Sequence, residues 1–388
     1  MTDKIIVGIA GSGAMGSGIA QVAAMAGHTV IIFDTDSKAL ERAKVNLNKG
    51  FEKLIEKEKI KRDDSQAILS SITYTTSVES FQSCGLVIEA VIENLEIKKL
   101  LFSDIEKKVD ASCILATNTS SLPVVAVAAG CRERSRVIGI HFFNPAALMP
   151  LVEIIPAFTT DAKVTDASRN IIASWGKVTV LAKDTPGFIV NRIARPFYGE
   201  AIKMYEEGIA SVATIDWAMK EFGAFKMGPF ELMDFIGNDI NYKVTETVWE
   251  QMFYDARYRP SLTQKRLFEA GLYGRKSGRG YYRYDADAPE VVPDKNTQQG
   301  KYIFNRVLAM LVNEAAEALY MNIATREDID LAMTKGVNYP IGLLKWADEI
   351  GIEKVLNELN RLQTDYGDDR YRASLLLKKM HAEKRTFY

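Results

Sequence analysis

The sequence predicts an α/β domain built on a parallel sheet, followed by two tandem all-α domains. Three observations predict it. Short β-branched runs alternate with helix-periodic stretches across residues 1–183, the pattern of strands joined by crossover helices. From Asp184 onward strand-like runs become scarce and helical patterns dominate. The helical part also repeats itself: Asn191–Gly237 aligns without a gap on Asn305–Gly351, and 14 of the 47 pairs are identical. The chain of 388 residues is also longer than the roughly 250 that one core supports.

The elements follow in order. Lys4–Ala10, Thr29–Phe33, Leu86–Val91, Cys113–Thr117 and Arg136–Ile140 read as buried strands. Between them Ala14–Gly27, Ser37–Lys61 and Leu95–Val109 carry apolar residues at helical spacing, and Leu151–Ile155 and Val178–Leu181 extend the sheet. Pro186-Gly187 is a turn pair that ends this layer. The repeat pairs Asn191 with Asn305, Glu200 with Glu314, Asp216 with Asp330 and Gly228 with Gly342. It resumes where RYRPSL from Arg257 matches RYRASL from Arg370, which indicates a duplicated helical domain. The expected domains are 1–183, 184–285 and 301–388, with the polar stretch 286–300 as a linker.

Composition excludes several classes. With 49 basic and 50 acidic residues there is no overall field for nucleic acid or an anionic membrane. No apolar run reaches the roughly 18 residues needed to span a bilayer. Met1–Ala10 lacks the basic region and cleavage pattern of a signal peptide. Cys84, Cys113 and Cys131 are odd in number and lack metal-like spacing, so reduced cysteines in a cytoplasmic protein and no metal are expected.

Gly11-Ser12-Gly13-Ala14-Met15-Gly16 is a G-x-G-x-x-G that leaves a strand and opens a helix. In that context Gly11, Gly13 and Gly16, with Ala14 and Met15, form the phosphate-binding turn of a Rossmann-type domain. Asp34 closes the second strand, where a carboxylate accepts hydrogen bonds from the adenosine ribose and repels a 2′-phosphate. Thr35, Asp36 and Ser37 follow with no arginine, so NAD is the expected cofactor. The plainer role for Asp34 is a helix N-cap, a place Ser37 could fill instead.

Of three histidines, His28 in a turn and His381 in a charged tail read as structural and solvated. His141 follows the strand RVIGI at its carboxyl end, where open parallel sheets bind ligands, so it is either structural or catalytic. Glu153, inside LVEII, is either an exposed edge residue or a buried carboxylate whose partner is His141. Asn118-Thr119-Ser120-Ser121 follows another strand end and offers an amide and hydroxyls, or else caps the helix Leu122–Ala129. Asn191 begins the helical part and could reach the same cleft.

GSGAMGSGIA, EAVIENLEIKK, TNTSSLPV, HFFNPAALMPLVEII and DTPGFIVNRI, in this order, resemble the L-3-hydroxyacyl-CoA dehydrogenase family, above all its bacterial 3-hydroxybutyryl-CoA members, over about residues 1–285. The resemblance implies an NAD-dependent oxidation of L-3-hydroxyacyl-CoA to 3-ketoacyl-CoA, reversible, in fatty acid metabolism. It implies that His141 is the base, Glu153 its orienting partner, and Ser120 and Asn191 holders of the substrate oxygen. It places Glu93 and Lys98 beside the nicotinamide half of NAD, with Asn118 nearby, and carries Lys276 over from GRKSGRG more weakly. Lys49, Lys53 and Lys57 form a helical stripe that could hold CoA phosphates, or a solvated face. Two other readings stay open: an NAD enzyme acting on a free hydroxy acid, and an NAD-binding protein without turnover. The second helical copy departs from the short members of the family. In these the helical domain is the dimerisation surface, so the copy is expected to form an internal pseudo-dimer, in a chain that is a monomer or a homodimer.

Overall fold

Strands that are apolar on both faces need cover on both sides, and this requirement sets the architecture of the N-terminal half. The computed structural model describes residues 4–388, which fall into two compact units divided between Thr185 and Pro186.

The N-terminal unit runs β1 (Ile6–Ala10), α1 (Ala14–Met25), β2 (Thr29–Phe33), α2 (Ser37–Glu56), α3 (Arg62–Ser70), β3 (Ile72–Thr75), β4 (Cys84–Glu89), α4 (Leu95–Glu106), β5 (Ile114–Thr117), α5 (Val124–Ala128), β6 (Val137–Phe142), β7 (Leu151–Pro156), α6 (Ala162–Ser174) and β8 (Val178–Leu181). Its single sheet has the order β3-β2-β1-β4-β5-β6-β7-β8. Alternating residues feed two cores: Val7, Ile9, Leu86 and Ile88 point to one face, Ala10, Val87 and Leu115 to the other. The chain leaves β1 toward β2 on one side and returns to β4 on the other, so the loop after β1 lies at a topological switch point.

The Rossmann-type reading holds, with corrections. The sheet is not wholly parallel: β7 runs antiparallel to β6, because the short 143–150 connection cannot make the crossover that parallel strands need. The edge strand β3 was not foreseen; four residues carry too little alternation to reveal it. α2 stops at Glu56, and Glu58 takes a positive φ before α3 begins. Asp36 caps α2 by accepting from the Lys38 amide, not Ser37.

The helical unit runs α7 (Val190–Ile193), α8 (Arg195–Glu206), α9 (Val212–Gly223), α10 (Pro229–Ile236), α11 (Asn238–Gln251), α12 (Leu262–Glu269), α13 (Thr297–Tyr320), α14 (Arg326–Gly336), α15 (Leu343–Ile350), α16 (Ile352–Tyr366) and α17 (Leu375–Ala382). The stretch expected as a linker ends early: Asn296 caps α13, which starts at Thr297. α13 is apolar nearly all round, burying Ile303, Val307, Leu308, Met310 and Leu311 against α8, α9, α15, α16 and α17.

Two buried charge clusters knit this unit. Glu200 of α8 is held by Arg306 at 3.0 Å, by the Tyr371 hydroxyl at 3.2 Å and by Arg370 at 3.4 Å. Glu314 of α13 is held by Arg192 at 2.6 Å, by Arg257 at 3.1 Å and by the Tyr258 hydroxyl. Local devices recur as well. Asp216 accepts the Phe230 and Glu231 amides at the start of α10, and Asp330 accepts those of Leu344 and Lys345 at the start of α15. Gly228 and Gly342 make room for these two carboxylates: an added Cβ would meet Asp216 at 2.3 Å or Asp330 at 2.2 Å.

Candidate active site

The loop after β1 is shaped by its glycines. Gly11 has φ +108°, and a Cβ there would meet the Ala90 carbonyl oxygen at 2.6 Å. A Cβ at Gly16 would meet the Gly11 oxygen at 1.9 Å, so α1 closes directly onto the turn. A Cβ at Gly13 would meet no protein atom within 4 Å. Packing among the described residues does not require glycine there, and the open space suits a ligand approaching the backbone. Ser17 donates to the Gly13 carbonyl at 2.9 Å, so the amides preceding it at the helix start remain for an anion.

Asp34 faces this loop. Its Oδ2 accepts the Ser12 amide at 2.9 Å and the Ser12 hydroxyl at 2.7 Å, and Oδ1 accepts the Asp36 amide at 3.1 Å. Burial pushes its carboxyl up, but these hydrogen bonds prevail and hold it below the usual aspartate value. Asp34 is therefore no helix cap. The cleft it lines, of about 1010 Å³, is also bounded by Gly11, Gly13, Ile92 and Pro145. Arg42 lines it too, which corrects the expectation that no arginine is near. That guanidinium is exposed and paired with Asp36 at 3.2 Å. The cleft fits a dinucleotide: a glycine cradle for phosphates and an ionised carboxylate for a ribose.

The carboxyl ends of β4 and β5 carry a buried ion cluster. Lys98 of α4, 1% exposed, binds Glu89 at 2.6 Å and Glu93 at 3.1 Å. A lone ammonium there would be costly, and the two carboxylates offset the loss of water. Glu89 also accepts the Thr117 hydroxyl and the Val91 amide, each at 2.7 Å. Glu93 in turn braces the loop after β5, accepting the Thr119 hydroxyl, the Ser120 amide at 3.2 Å and the Ser121 hydroxyl at 2.9 Å. Burial raises its pKa, yet Lys98 and these donors leave it lowered overall. The Ser120 hydroxyl makes no hydrogen bond among the described residues. The loop does not cap α5, since Asp184 accepts the Val124 and Val125 amides at 2.9 and 2.8 Å.

His141 lies within β6, one residue short of its end, directly opposite Glu153 of β7. Both are buried, and Nδ1 sits 2.7 Å from Oε2. A carboxylate only accepts, so Nδ1–H donates and Nε2 is the basic nitrogen. Asn118 accepts the Phe142 amide at 2.8 Å, tying the ends of β5 and β6. His28 is structural, its Nδ1 lying 3.1 Å from the Ile5 oxygen, and His381 is exposed.

Within the N-terminal unit the structure thus gathers Gly11, Gly13, Gly16, Asp34, Glu93, Lys98, Asn118, Ser120, His141 and Glu153 around the carboxyl ends of β1, β2, β4, β5 and β6. Lys49, Lys53 and Lys57 are exposed, and Lys57 falls just past the end of α2. Asn191, half-buried on α7, and Lys276, paired with Asp239 at 2.6 Å, belong to the helical unit. Sequence reasoning missed Glu89, Ser12, Arg42 and Asp184. Glu89 left a readable signal, a single acid closing an otherwise apolar strand; Asp184 left none.

Comparison with known proteins matches both units. The family model for the NAD-binding domain of 3-hydroxyacyl-CoA dehydrogenase matches residues 6–185, and that for its C-terminal domain matches 187–284 and 302–386. The 3-hydroxyadipyl-CoA dehydrogenase of Escherichia coli K12 is 34% identical, over 96% of both chains. A probable 3-hydroxybutyryl-CoA dehydrogenase of Deinococcus radiodurans is 41% identical, over 71% of this chain and 99% of that one. The crystal structure of an Escherichia coli 3-hydroxybutyryl-CoA dehydrogenase superposes with a TM-score of 0.93 at 32% identity, covering 98% of this chain and 99% of the other.

Proposed function

The chain belongs to the 3-hydroxyacyl-CoA dehydrogenase family, and on that premise we propose how its residues divide the work. It oxidises 3-hydroxyacyl-CoA to 3-ketoacyl-CoA with NAD as cofactor, and NAD supplies the hydride acceptor. The glycine loop holds the pyrophosphate on the start of α1, and Asp34 holds the adenosine ribose. His141 takes the proton of the 3-hydroxyl on Nε2. Glu153, bonded to Nδ1, fixes the tautomer and stabilises the imidazolium. In the reverse direction the same imidazolium returns the proton. Ser120 orients the substrate oxygen with its hydroxyl, on a loop that Glu93 and Lys98 keep in place. Asn191 is the second holder of that oxygen. Glu93 and Lys98 also border the nicotinamide, with Lys276 as a weaker candidate; Lys49, Lys53 and Lys57 are candidates for the CoA phosphates.

The observation that carries this reading is the buried His141–Glu153 pair at 2.7 Å, on neighbouring strands whose connecting loop lines the glycine cleft with Asn144, Pro145 and Ala146. The test follows NADH spectrophotometrically with acetoacetyl-CoA, longer 3-ketoacyl-CoAs and free 3-hydroxy acids side by side. Turnover with the thioesters alone is expected; equal turnover with free acids would overturn the reading. The relatives name two acyl chains, butyryl and adipyl, which differ by a distal carboxylate that only a cation would recognise.

The helical part is a tandem duplication, domains 184–285 and 301–388, that forms an internal pseudo-dimer. The reciprocal clusters support this. Glu200 is bound by Arg306, Arg370 and Tyr371, and Glu314 by Arg192, Arg257 and Tyr258, which are the equivalent residues of the repeat. Such exchange is the mark of a two-fold, isologous interface. Because that face is covered from within, the chain is a monomer, or a homodimer through another surface. Burial pushes the thiols of Cys84, Cys113 and Cys131 up to about 12, which suits a reducing cytoplasm.

A further inference from the structure

Six arginines of the described residues are buried: Arg136, Arg192, Arg195, Arg257, Arg306 and Arg370. Five of them lie within 4.0 Å of a carboxylate: Arg136 of Glu106, Arg192 and Arg257 of Glu314, Arg306 and Arg370 of Glu200. Arg195, at the start of α8 and only 7% exposed, has none among the described residues. Its Nε donates to the Asn191 carbonyl at 2.8 Å and Nη1 donates to the Thr245 hydroxyl at 3.1 Å, while Nη2 makes no hydrogen bond among the described residues. The guanidinium also stacks over Tyr198 at 5.0 Å. These neutral partners orient the charge without balancing it.

The duplication supplies a comparison within the same chain. In the alignment of Asn191–Gly237 on Asn305–Gly351, Arg195 falls on Ala309. Counted from Gly237 and Gly351, which open α11 and α16, Asn241 and Thr245 fall on Val355 and Leu359. RYRPSL and RYRASL place Gln264 on Leu377. In the first copy these residues form a buried polar set: Thr245 and Gln264 are joined at 3.1 Å, and Gln264 binds Asn241 at 2.6 Å. In the second copy Ala309, Val355, Leu359 and Leu377 are all buried and apolar. The helical fold thus packs this position without a polar group. An apolar set in place of a buried charge is commonly neutral or stabilising, so packing does not call for Arg195.

Arg195, Thr245 and Gln264 line a cleft of about 190 Å³ within the helical unit. Lys203, Arg259 and Arg370 line it too, so four cations face two carboxylates, Glu206 and Asp368. Both carboxylates are engaged: Glu206 accepts the Thr263 amide at 3.0 Å, and Asp368 accepts the Arg370 amide at 3.0 Å. None of these residues is assigned to NAD or to the 3-hydroxyacyl group. We propose that this cleft is a separate binding site for one small oxyanion, a carboxylate or a phosphate group, held on the free edge of the Arg195 guanidinium. A guanidinium carries five N–H donors in a planar fork, and the two that Arg195 spends on Asn191 and Thr245 leave the Nη2 end open for a paired contact. The bound anion balances the charge that Thr245, Tyr198 and the Asn191 carbonyl only orient, and Lys203 and Arg259 favour a second negative charge on the same ligand.

The test is thermal unfolding of the full chain with inorganic phosphate or malonate as probe. NAD is kept saturating so that the glycine loop is occupied, and chloride holds the ionic strength constant. At about ten times its dissociation constant, the bound anion should raise the wild-type midpoint by about 3–6 °C, with saturation below about 20 mM. A response to phosphate alone or to malonate alone supports the site and tells which oxyanion it takes. The variant Arg195→Ala, Thr245→Leu, Gln264→Leu installs the residues of the second copy. It should match or exceed the wild-type midpoint in anion-free buffer and lose the anion response. Arg195→Met alone should lose that response as well, which keeps the comparison available if the triple variant does not fold. A wild type that responds to neither probe, or a shift that the variants share, overturns the proposal. So does failure of both variants to fold, since the polar set would then be a packing requirement.

Discussion

Glu314→Gln should be among the most damaging single substitutions in the helical unit. Glu314 is fully buried between two guanidiniums, Arg192 at 2.6 Å and Arg257 at 3.1 Å, and also accepts the Tyr258 hydroxyl. Glutamine keeps the shape but leaves both charges buried without a counter-ion. Breaking a buried pair in this way costs about 3–5 kcal/mol, a large share of a typical stability of about 5–15 kcal/mol. The reciprocal Glu200→Gln should cost less, because Arg306 keeps a second carboxylate, the partly exposed Glu207, at 3.0 Å. Burial raises the Glu314 pKa, but Arg192 and Arg257 outweigh it and hold the folded value below the ordinary 4.5. A depressed folded pKa contributes stability that is fully present above the unfolded value and is lost as pH falls through the folded one. The gap between wild type and Glu314→Gln should thus be widest at neutral pH and shrink below about pH 4.5. Urea titrations followed by circular dichroism across this range measure it. A loss under about 1 kcal/mol at pH 7, a gap that grows on acidification, or a Glu200→Gln variant weaker than Glu314→Gln would refute the reasoning.

Further outcomes concern the site and the duplication. His141→Gln should lower kcat by on the order of 10²–10⁴ with NAD binding intact, and Glu153→Gln should also impair turnover; steady-state kinetics beside cofactor titration decide both. Asp34→Ser combined with Thr35→Arg should raise the NADP/NAD ratio of kcat/KM, since Arg42 alone, tied to Asp36, does not neutralise Asp34; a wild type that already prefers NADP contradicts this. Truncation near Asp285 removes Arg306, Arg370 and Tyr371 from Glu200, so the shortened chain should dimerise or aggregate in light scattering, whereas a soluble, fully active monomer would refute the pseudo-dimer.

Much of this was legible in the sequence because it is local. A strand of KIIVGIA running into Gly11-x-Gly13-x-x-Gly16 fixes a turn and a helix start within a few residues, and Asp34 follows from the next strand end. The repeat is visible because equivalent residues sit at one offset whatever their packing. The misses have the same origin. β3 is too short for periodicity to reveal it, and Arg42 lies a helical turn or more past the positions weighed for a phosphate.

What the tertiary structure decided is partnership between residues far apart in the chain. The sequence placed Glu153 on a strand with either water or His141 as its neighbour; the antiparallel register of β6 and β7 put it directly opposite the imidazole. Lys98 reads as one lysine of an ordinary charged helix until α4 packs beneath β4 and buries it between Glu89 and Glu93. Arg195 and Arg192 look alike in ARPFYGEA and VNRIA, yet folding gives one a carboxylate and leaves the other with none among the described residues. Periodicity and turn chemistry act over a few residues and are written in the chain. Charge pairing depends on strand order, register and helix rotation, which only the assembled core determines.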